Sequence, residues 1–319
     1  MQNSNPLVTV VIPTRNRPDL VGRAVRSALL QTLTDLEVVV VVDGPDPSTF
    51  SVLATIQGAD SRLRVLPLPQ SVGGADARNA GIETANGEWI AMLDDDDEWI
   101  PQKLEKQVAL GETSSHHLPL IFCKFIGRTP ATDYIWPRTE PFLPIADYCV
   151  RRRSLFQGEG VLGICSTVVG RRALFQNCPF TSGQRRFQDV DWLIRACSLP
   201  GVGLEFIPEP LAICYMEENR ASIGSTCDWH YAMNWANSMQ LYFTPEGYAS
   251  FCLTTISTSA SNQGDWSAFV PVLVSAFKNG KPRVIHIPIY FGMWLLPMSL
   301  RRFIRRVFQG ISREAREHK

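Results

Sequence analysis

The chain of 319 residues predicts an α/β fold, a central and mostly parallel sheet flanked by helices, followed by a basic C-terminal amphipathic helical tail. Three observations predict it. Apolar, β-branched runs of strand length alternate with helix-length segments through the first 111 residues. That order, βαβαβαβ, implies parallel strands joined by right-handed crossovers. The run Trp89-Ile90-Ala91-Met92-Leu93 ends in four consecutive aspartates, Asp94 to Asp97, and ligands of open α/β sheets bind beyond the carboxyl ends of strands. Finally, Lys278 to Lys319 carries ten Lys/Arg against two Glu, whereas the first 277 residues carry 21 basic and 29 acidic ones. The zero net charge therefore hides a basic tail on an acidic body.

Val8 to Pro13 is a continuous β-branched run, the pattern of a strand buried on both faces. Pro18 opens a helix, where a missing N–H costs little, and Leu20, Val21, Ala24, Val25 and Ala28 form its apolar face. Leu36 to Val42 is a second buried strand, ended by Asp43-Gly44-Pro45. Residues 48–57 read as a helix and Arg64 to Leu68 as a third strand. Ala75 to Ala85 is a helix closed by Asn86-Gly87, Trp89 to Leu93 a fourth strand, and a further helix begins near Pro101.

Beyond Gly111 the pattern loosens. Leu120 to Ile126, Ile164 to Val169, Leu204 to Ile207 and Leu211 to Tyr215 read as strands, and Asp189 to Cys197 as a helix. The proline-bearing stretch 127–160, with Arg151-Arg152-Arg153, reads as loops and short helices. Ile285 to Leu300 is apolar but interrupted by Pro288, Gly292 and Pro297, short of the roughly 20 apolar residues of a spanning helix. In Arg301 to Phe308, Phe303, Ile304, Val307 and Phe308 share one helical face and four arginines the other. An anionic membrane surface, met through 285–308, suits that form; a helix docked on the protein itself, or a nucleic-acid patch, shares it.

The hydrophobic content of 45% with 19% charge is that of a globular protein with a sizeable core. Eight cysteines have neither CxxC nor zinc spacing, so reduced thiols in a cytosolic protein are expected. The N-terminus has no basic segment before its apolar stretch and does not read as a signal peptide. The absence of Gly-x-Ser-x-Gly argues against a serine hydrolase. The five histidines suggest no site.

The aspartate cluster points to chemistry because like charges repel and no basic residue follows until Lys103. Hard oxygen ligands suit Mg²⁺ or Mn²⁺; the alternative is a solvated acidic turn. Four segments occur in order: Val10-Val11-Ile12-Pro13-Thr14-Arg15-Asn16-Arg17, Glu37-Val38-Val39-Val40-Val41-Val42-Asp43-Gly44, Ala77-Arg78-Asn79-Ala80-Gly81-Ile82, and Gly87-Glu88-Trp89-Ile90 through Asp94-Asp95-Asp96-Asp97-Glu98-Trp99. With Gln188-Asp189-Val190-Asp191-Trp192 further on, they resemble the family 2 glycosyltransferases of the Rossmann-like GT-A fold. The resemblance covers about residues 7–216. It implies a catalytic domain over 1–245, with a nucleotide-binding part at about 7–111 and an acceptor part at about 112–245, and a membrane-associating segment over 246–319.

The resemblance also implies roles. Pro13, Thr14 and Arg15 would form the edge that meets the donor's base, and Asp43 would accept from the base. Only one acidic residue stands there, after Val42, where relatives often have two. Arg78 would contact the donor; a surface ion pair is the alternative. Asp94-Asp95-Asp96 resembles the DxD motif, so Asp94 would reach ribose or metal, Asp95 the ribose, and Asp96 the metal. Asp97 reads as a cap of the following helix and Trp99 as core. Asp189 would be the general base, with Asp191 as fallback; a helix N-cap would also explain Asp189. Gln188 departs from the glutamate usual in the resemblance.

The expected protein is thus a metal-dependent, inverting hexosyl-type glycosyltransferase. It would move sugar from a UDP-, GDP- or dTDP-sugar to a hydroxyl of a glycan or lipid-linked acceptor. The expected setting is polysaccharide or cell-envelope assembly, peripheral at the inner face of the membrane, with no nucleic-acid partner. A nucleotidyltransferase would want a glycine-rich phosphate loop near the first strand, which Arg15-Asn16-Arg17-Pro18 does not supply. A catalytically silent glycan-binding scaffold would tolerate loss of Asp96 and Asp189, and both are present.

Overall fold

The β-branched runs form the centre of one sheet because each has two faces to bury. In the computed structural model, which describes residues 5–152, 164–216, 228–297 and 299–301, β1 (Val8–Thr14), β2 (Leu36–Val42), β3 (Leu63–Pro67) and β4 (Trp89–Met92) are parallel neighbours in the order β3-β2-β1-β4. Side chains alternate across a strand. Val8, Val10, Ile12, Val38, Val40 and Val42 pack on one face with Val21, Ala24, Val25 and Ala28 of α1 (Pro18–Leu29) and with Leu53 and Ile56 of α2 (Pro47–Ala59). Val39 and Val41 pack on the other with Ala77 of α3 (Gly74–Glu83).

Gly81 sets how closely α3 approaches. A Cβ there would lie 2.5 Å from Val11 Cγ1 and 3.0 Å from Val41 Cγ2. Pro18 stands at a helix start as expected; α2 begins at Pro47, one residue before the expected 48, and Asp46 caps it by accepting from the Thr49 N–H. The helix at 75–85 differs from expectation. It ends at Glu83, and Asn86 instead donates its N–H to Glu37.

The sheet continues past β4 with β8 (Val169–Arg171), β6 (Leu118–Arg128), β9 (Val202–Tyr215) and β5 (Glu98–Trp99), and β7 (Asp133–Trp136) pairs with β6. β8 runs antiparallel to β4 and β6, whereas β6 and β9 form a long parallel pair. Around them lie α4 (Lys103–Thr113), α6 (Ile164–Thr167), α7 (Arg172–Asn177) and α8 (Gln188–Ala196), α5 (Ile145–Val150) belonging elsewhere.

Two expectations are corrected here. Ile164 to Val169 is not a strand: its first four residues form the α6 turn, and pairing begins at Val169. The turn is held by Trp99 Nε1–H donating to the Ser166 carbonyl at 2.7 Å and Gln107 donating to that of Thr167 at 2.8 Å, so tertiary bonds override strand propensity. The strands expected at 204–207 and 211–215 are one, β9. It carries Pro208-Glu209-Pro210 through register shifts opposite Cys123, Lys124 and Phe125, the irregularity that lets prolines sit in a strand.

By packing, residues 1–141 with 161–220 form one compact unit and residues 142–160 with 221–319 another; residues 228–245 thus cluster with the C-terminal segment. The second unit contains α5, α9 (Trp229–Ser238), α10 (Pro245–Ser250) running through a π-helical turn into α11 (Ser257–Asn262), α12 (Phe269–Lys278) and α13 (His286–Leu295). Its core includes Tyr248, Leu253, Ile256, Val272, Ala276 and Tyr290. The stretch expected to be broken at Pro288 and Gly292 is continuous helix over His286–Leu295. Pro288 falls in its first turn, where no N–H is needed. Among the described residues no helix is long and apolar enough to cross a membrane, and the seven described cysteines form no disulfide. The amphipathic stretch 303–308 and the glycine-bearing loop 158–163 lie outside the described residues.

Candidate active site

The strand β4 ends at Met92, and the aspartates follow it at the carboxyl edge of the sheet in a turn closed by the Asp97 N–H donating to the Asp94 carbonyl at 3.1 Å. Asp95 and Asp97 are buried, Asp94 and Asp96 half-buried. Asp95 accepts from the Thr14 hydroxyl at 2.7 Å and from Arg17 Nη1 at 2.8 Å. Arg17 also reaches Asp96 at 3.2 Å, and Arg23, stacked 3.7 Å over the Tyr215 ring, donates to the Asp96 carbonyl. The positive charge missing from the local sequence is thus supplied by α1 and the loop before it. Lys103 does not supply it. Its ammonium is buried 4.0 Å over the Trp99 ring, and burial lowers it to about 8. Trp99 is core, as expected.

Asp97 departs from expectation. It does not cap α4, which starts six residues later after Gln102. It accepts from the Ser166 hydroxyl and from the Tyr215 N–H, 3.3 Å away. Burial pushes its carboxyl up to about 7, with Asp94 and Asp96 adding to the effect. Asp94, Asp96 and Asp97 each offer a carboxylate oxygen within 4.8 Å of the others. Three converging, partly desolvated carboxylates are a donor set that fits a hard divalent cation such as Mg²⁺ or Mn²⁺.

At the neighbouring strand ends, Pro13 is half-buried, Thr14 buried and Arg15 exposed. The next residue, Asn16, is left-handed at φ 54°, a conformation asparagine tolerates better than most. Its N–H donates to Asp46. Asp43 is buried at the end of β2, and its own N–H donates to the Thr14 carbonyl. Its carboxylate accepts from the Ser71 hydroxyl, the Val72 N–H at 2.6 Å and the Gly73 N–H, so it anchors the loop that leads into α3.

From the second turn of α3, Arg78 reaches two ways. Nη2 donates to Asp94 at 2.7 Å and Nη1 to Gln188 Oε1 at 3.0 Å. Arg78 itself is buried and Asp94 half-buried, so the pair is not the surface one raised as the alternative. Helix α8 begins after Phe187, a left-handed residue at φ 60°, an uncommon conformation for an aromatic side chain and one seen where a site constrains the chain. Asp189 therefore stands in the first turn rather than at the N-cap. Burial raises its carboxyl, Arg78 opposes the rise, and Asp94 adds to it. Asp191 is buried and committed to the Thr181 hydroxyl and to Arg195, each at 2.8 Å.

The structure therefore gathers Thr14, Arg78, Asp94, Asp95, Asp96 and Asp189 at one sheet edge, with Asp43 beside them. Three residues with no site role assigned from sequence belong to the same network: Arg17, Ser166 and Asp97. Arg17 stood in the quoted motif, and its placement beside a strand end was the available signal. Ser166 stood out in sequence only as following the glycine-bearing loop 158–163, expected to border the acceptor; its bond to Asp97, 69 residues away, had no sequence signal.

The chain is similar to known proteins. The model of a family described as "Glycosyl transferase family 2" matches residues 9–191. The putative teichuronic acid biosynthesis glycosyltransferase TuaG of Bacillus subtilis (strain 168) is 38% identical over 108 residues, 34% of this chain and 43% of that protein. The putative colanic acid biosynthesis glycosyl transferase WcaA of Escherichia coli (strain K12) is 29% identical over 194 residues, 60% of this chain and 66% of the relative. The UDP-Glc:alpha-D-GlcNAc-diphosphoundecaprenol beta-1,3-glucosyltransferase WfgD of Escherichia coli is 36% identical over 105 residues, 33% of this chain and 40% of that protein. Each match spans less than two thirds of the relative's length. S. aureus TarS 1-349, solved in complex with UDP-GlcNAc, superposes with a TM-score of 0.52 at 16% identity, over 90% of this chain and 79% of that one. This likeness is one of fold, and the α/β architecture is the expected GT-A one. With the matched segment spanning more than half of its length and carrying the whole aspartate–arginine network, this chain belongs to glycosyl transferase family 2.

Proposed function

We propose that the protein transfers a hexosyl group from a nucleotide-sugar donor to a hydroxyl of a glycan or lipid-linked acceptor, with inversion, in the assembly of a polysaccharide or other envelope glycan at the inner face of the membrane. One observation carries it: Arg78 joins the aspartate cluster at the end of β4 to the first turn of α8, where Asp189 stands. A site that brings a diphosphate-binding edge and a candidate base together suits group transfer to a hydroxyl. The relatives support the setting: TuaG is named for teichuronic acid biosynthesis, WcaA for colanic acid biosynthesis, and WfgD for UDP-Glc and alpha-D-GlcNAc-diphosphoundecaprenol.

In this proposal Asp94, Asp96 and Asp97 hold a divalent cation, Mg²⁺ or Mn²⁺. Bound there, it would supply positive charge to offset what develops on the leaving nucleoside diphosphate. The remaining work falls to the chain. Pro13, Thr14, Arg15 and Asp43 border the base, Asp94 and Asp95 the ribose, and Arg78 the phosphates, while keeping Asp94 in place. Asp43 already accepts three bonds from residues 71–73, so a base N–H would be received by the same carboxylate that anchors that loop. Asp189 accepts the proton of the acceptor hydroxyl as that oxygen attacks the anomeric carbon. Asp191 is the weaker candidate, since its carboxylate is held by Thr181 and Arg195.

Incubating the protein with UDP-, GDP- and dTDP-sugars and Mn²⁺ tests this. Slow release of free sugar and nucleoside diphosphate from one donor is expected. Release of nucleoside monophosphate and sugar 1-phosphate, from attack at the α-phosphorus, would replace transfer by nucleotidyl chemistry, and binding without turnover, with and without acceptor glycans, would leave a scaffold.

A further inference from the structure

The helix α12, Phe-Val-Pro-Val-Leu-Val-Ser-Ala-Phe-Lys over 269–278, has two polar residues, Ser275 and Lys278. A helix apolar nearly all round is one covered on every side. Here only Val272 and Ala276 are buried, and they define one face. Val270, Val274 and Phe277, at i, i+4 and i+7, form another that is 61%, 54% and 58% exposed. The second unit repeats the device on α13, where Pro288, Phe291 and Leu295 make an exposed stripe at helical spacing. The two stripes are joined by aromatic contact, Phe269 lying 6.0 Å from Phe291 and 5.7 Å from the exposed Trp266. An apolar surface of this extent marks a docking site.

Its surroundings select the partner. Residues 266–301 contain no aspartate or glutamate and carry Lys278, Lys281, Arg283 and Arg301. The first three follow the outward end of α12 and are exposed. Arg283 pairs with Glu246 at 3.4 Å. Exposed valine and phenylalanine rimmed by lysine, with Trp266 at the edge, is the chemistry of the boundary between acyl chains and anionic headgroups. We propose that the outward faces of α12 and α13 are a monotopic docking surface for an anionic lipid bilayer, with Val270, Val274 and Phe277 entering the interface and Lys278 and Lys281 meeting headgroup phosphates. This site lies upstream of the arginine-rich stretch expected from sequence to meet lipid, and it does not depend on which reaction the first unit performs.

The test is flotation of the full chain with vesicles of phosphatidylcholine alone and of phosphatidylcholine with 30% phosphatidylglycerol, the composition being chosen for its charge. Wild type is expected to float with the anionic vesicles and to detach as salt rises. Val274→Asp with Phe277→Asp is expected to weaken binding on the order of tenfold or more. Lys278→Gln and Lys281→Gln are expected to weaken it roughly fivefold each, for the anionic vesicles only. Because 274 and 277 point outward, unfolding temperature and donor hydrolysis in solution should not change; Val274→Ser with Phe277→Ser serves if the aspartates impair folding. Vesicle binding equal to wild type in both double variants would overturn the proposal, placing lipid contact elsewhere. So would the absence of any wild-type binding. A concentration-dependent dimer by light scattering that the aspartate variant abolishes would also overturn it, assigning the surface to a second copy of the chain.

Discussion

Arg78 lies buried between Asp94 and Gln188, with 2.7 Å to the carboxylate and 3.0 Å to the amide oxygen. One guanidinium thus fixes the geometry of two segments 94 residues apart in sequence, and its planar fork is what allows two directed bonds at once. Arg78→Lys keeps the charge and loses the fork. Donor turnover should fall about tenfold or more in Arg78→Lys and about a hundredfold in Arg78→Ala, as expected for loss of one or two charge-assisted bonds. Steady-state hydrolysis of the donor found active for the wild type measures this; unchanged kcat/KM in Arg78→Lys would remove the link from the mechanism.

Thr14 donates to the buried Asp95 at 2.7 Å. Thr14→Val removes that bond without changing shape and leaves a buried carboxylate oxygen short of a partner. Stability should fall by about 1–3 kcal/mol, read from urea unfolding midpoints, and Thr14→Ser should recover most of it. Equal midpoints for all three proteins would show that the bond does not hold the strand end.

Gly81 faces β1 and β2 with no room for a methyl group, since a Cβ would sit 2.5 Å from Val11 Cγ1. Gly81→Ala should destabilise by about 1–3 kcal/mol through overpacking, despite the better helix propensity of alanine. Thermal unfolding decides it: an unchanged or raised midpoint would mean that α3 shifts at no cost.

Glu37 ties three strands together. Burial alone would raise its carboxyl, but bonds from the Asn86 N–H, the Thr9 hydroxyl and Arg64 outweigh it and hold the group below its ordinary value of 4.5. A depressed carboxylate stabilises above its unfolded value, and that stability is lost as pH falls through the folded one. Wild type should therefore exceed Glu37→Gln in unfolding temperature at pH 7, with the gap closing below about pH 4.5. A gap that stays constant from pH 7 to pH 3.5 would contradict this.

Strand positions in the first unit were legible because burial on both faces demands runs such as Leu36–Val42, and the start of α1 because Pro18 marks it. What sequence patterns could not show lies in contacts between distant residues. Ile164–Thr167 has strand composition but is turned by bonds to Trp99 and Gln107. Asp97 reads locally as a helix cap, yet its partners are Ser166 and Tyr215. Asp43 was recognisable as a strand-end acid, whereas its grip on the Ser71–Gly73 loop was not.

The most direct test of the site is titration of Mn²⁺ into the protein with and without UDP, followed by paramagnetic resonance of free Mn²⁺, for wild type and Asp96→Ala. Wild type is expected to bind one equivalent more tightly when UDP is present, and Asp96→Ala to lose that binding and at least about 99% of donor turnover, as removal of a cation ligand would require. Stoichiometric Mn²⁺ binding by Asp96→Ala with turnover intact would contradict the assignment of these carboxylates to a cation beneath the donor diphosphate.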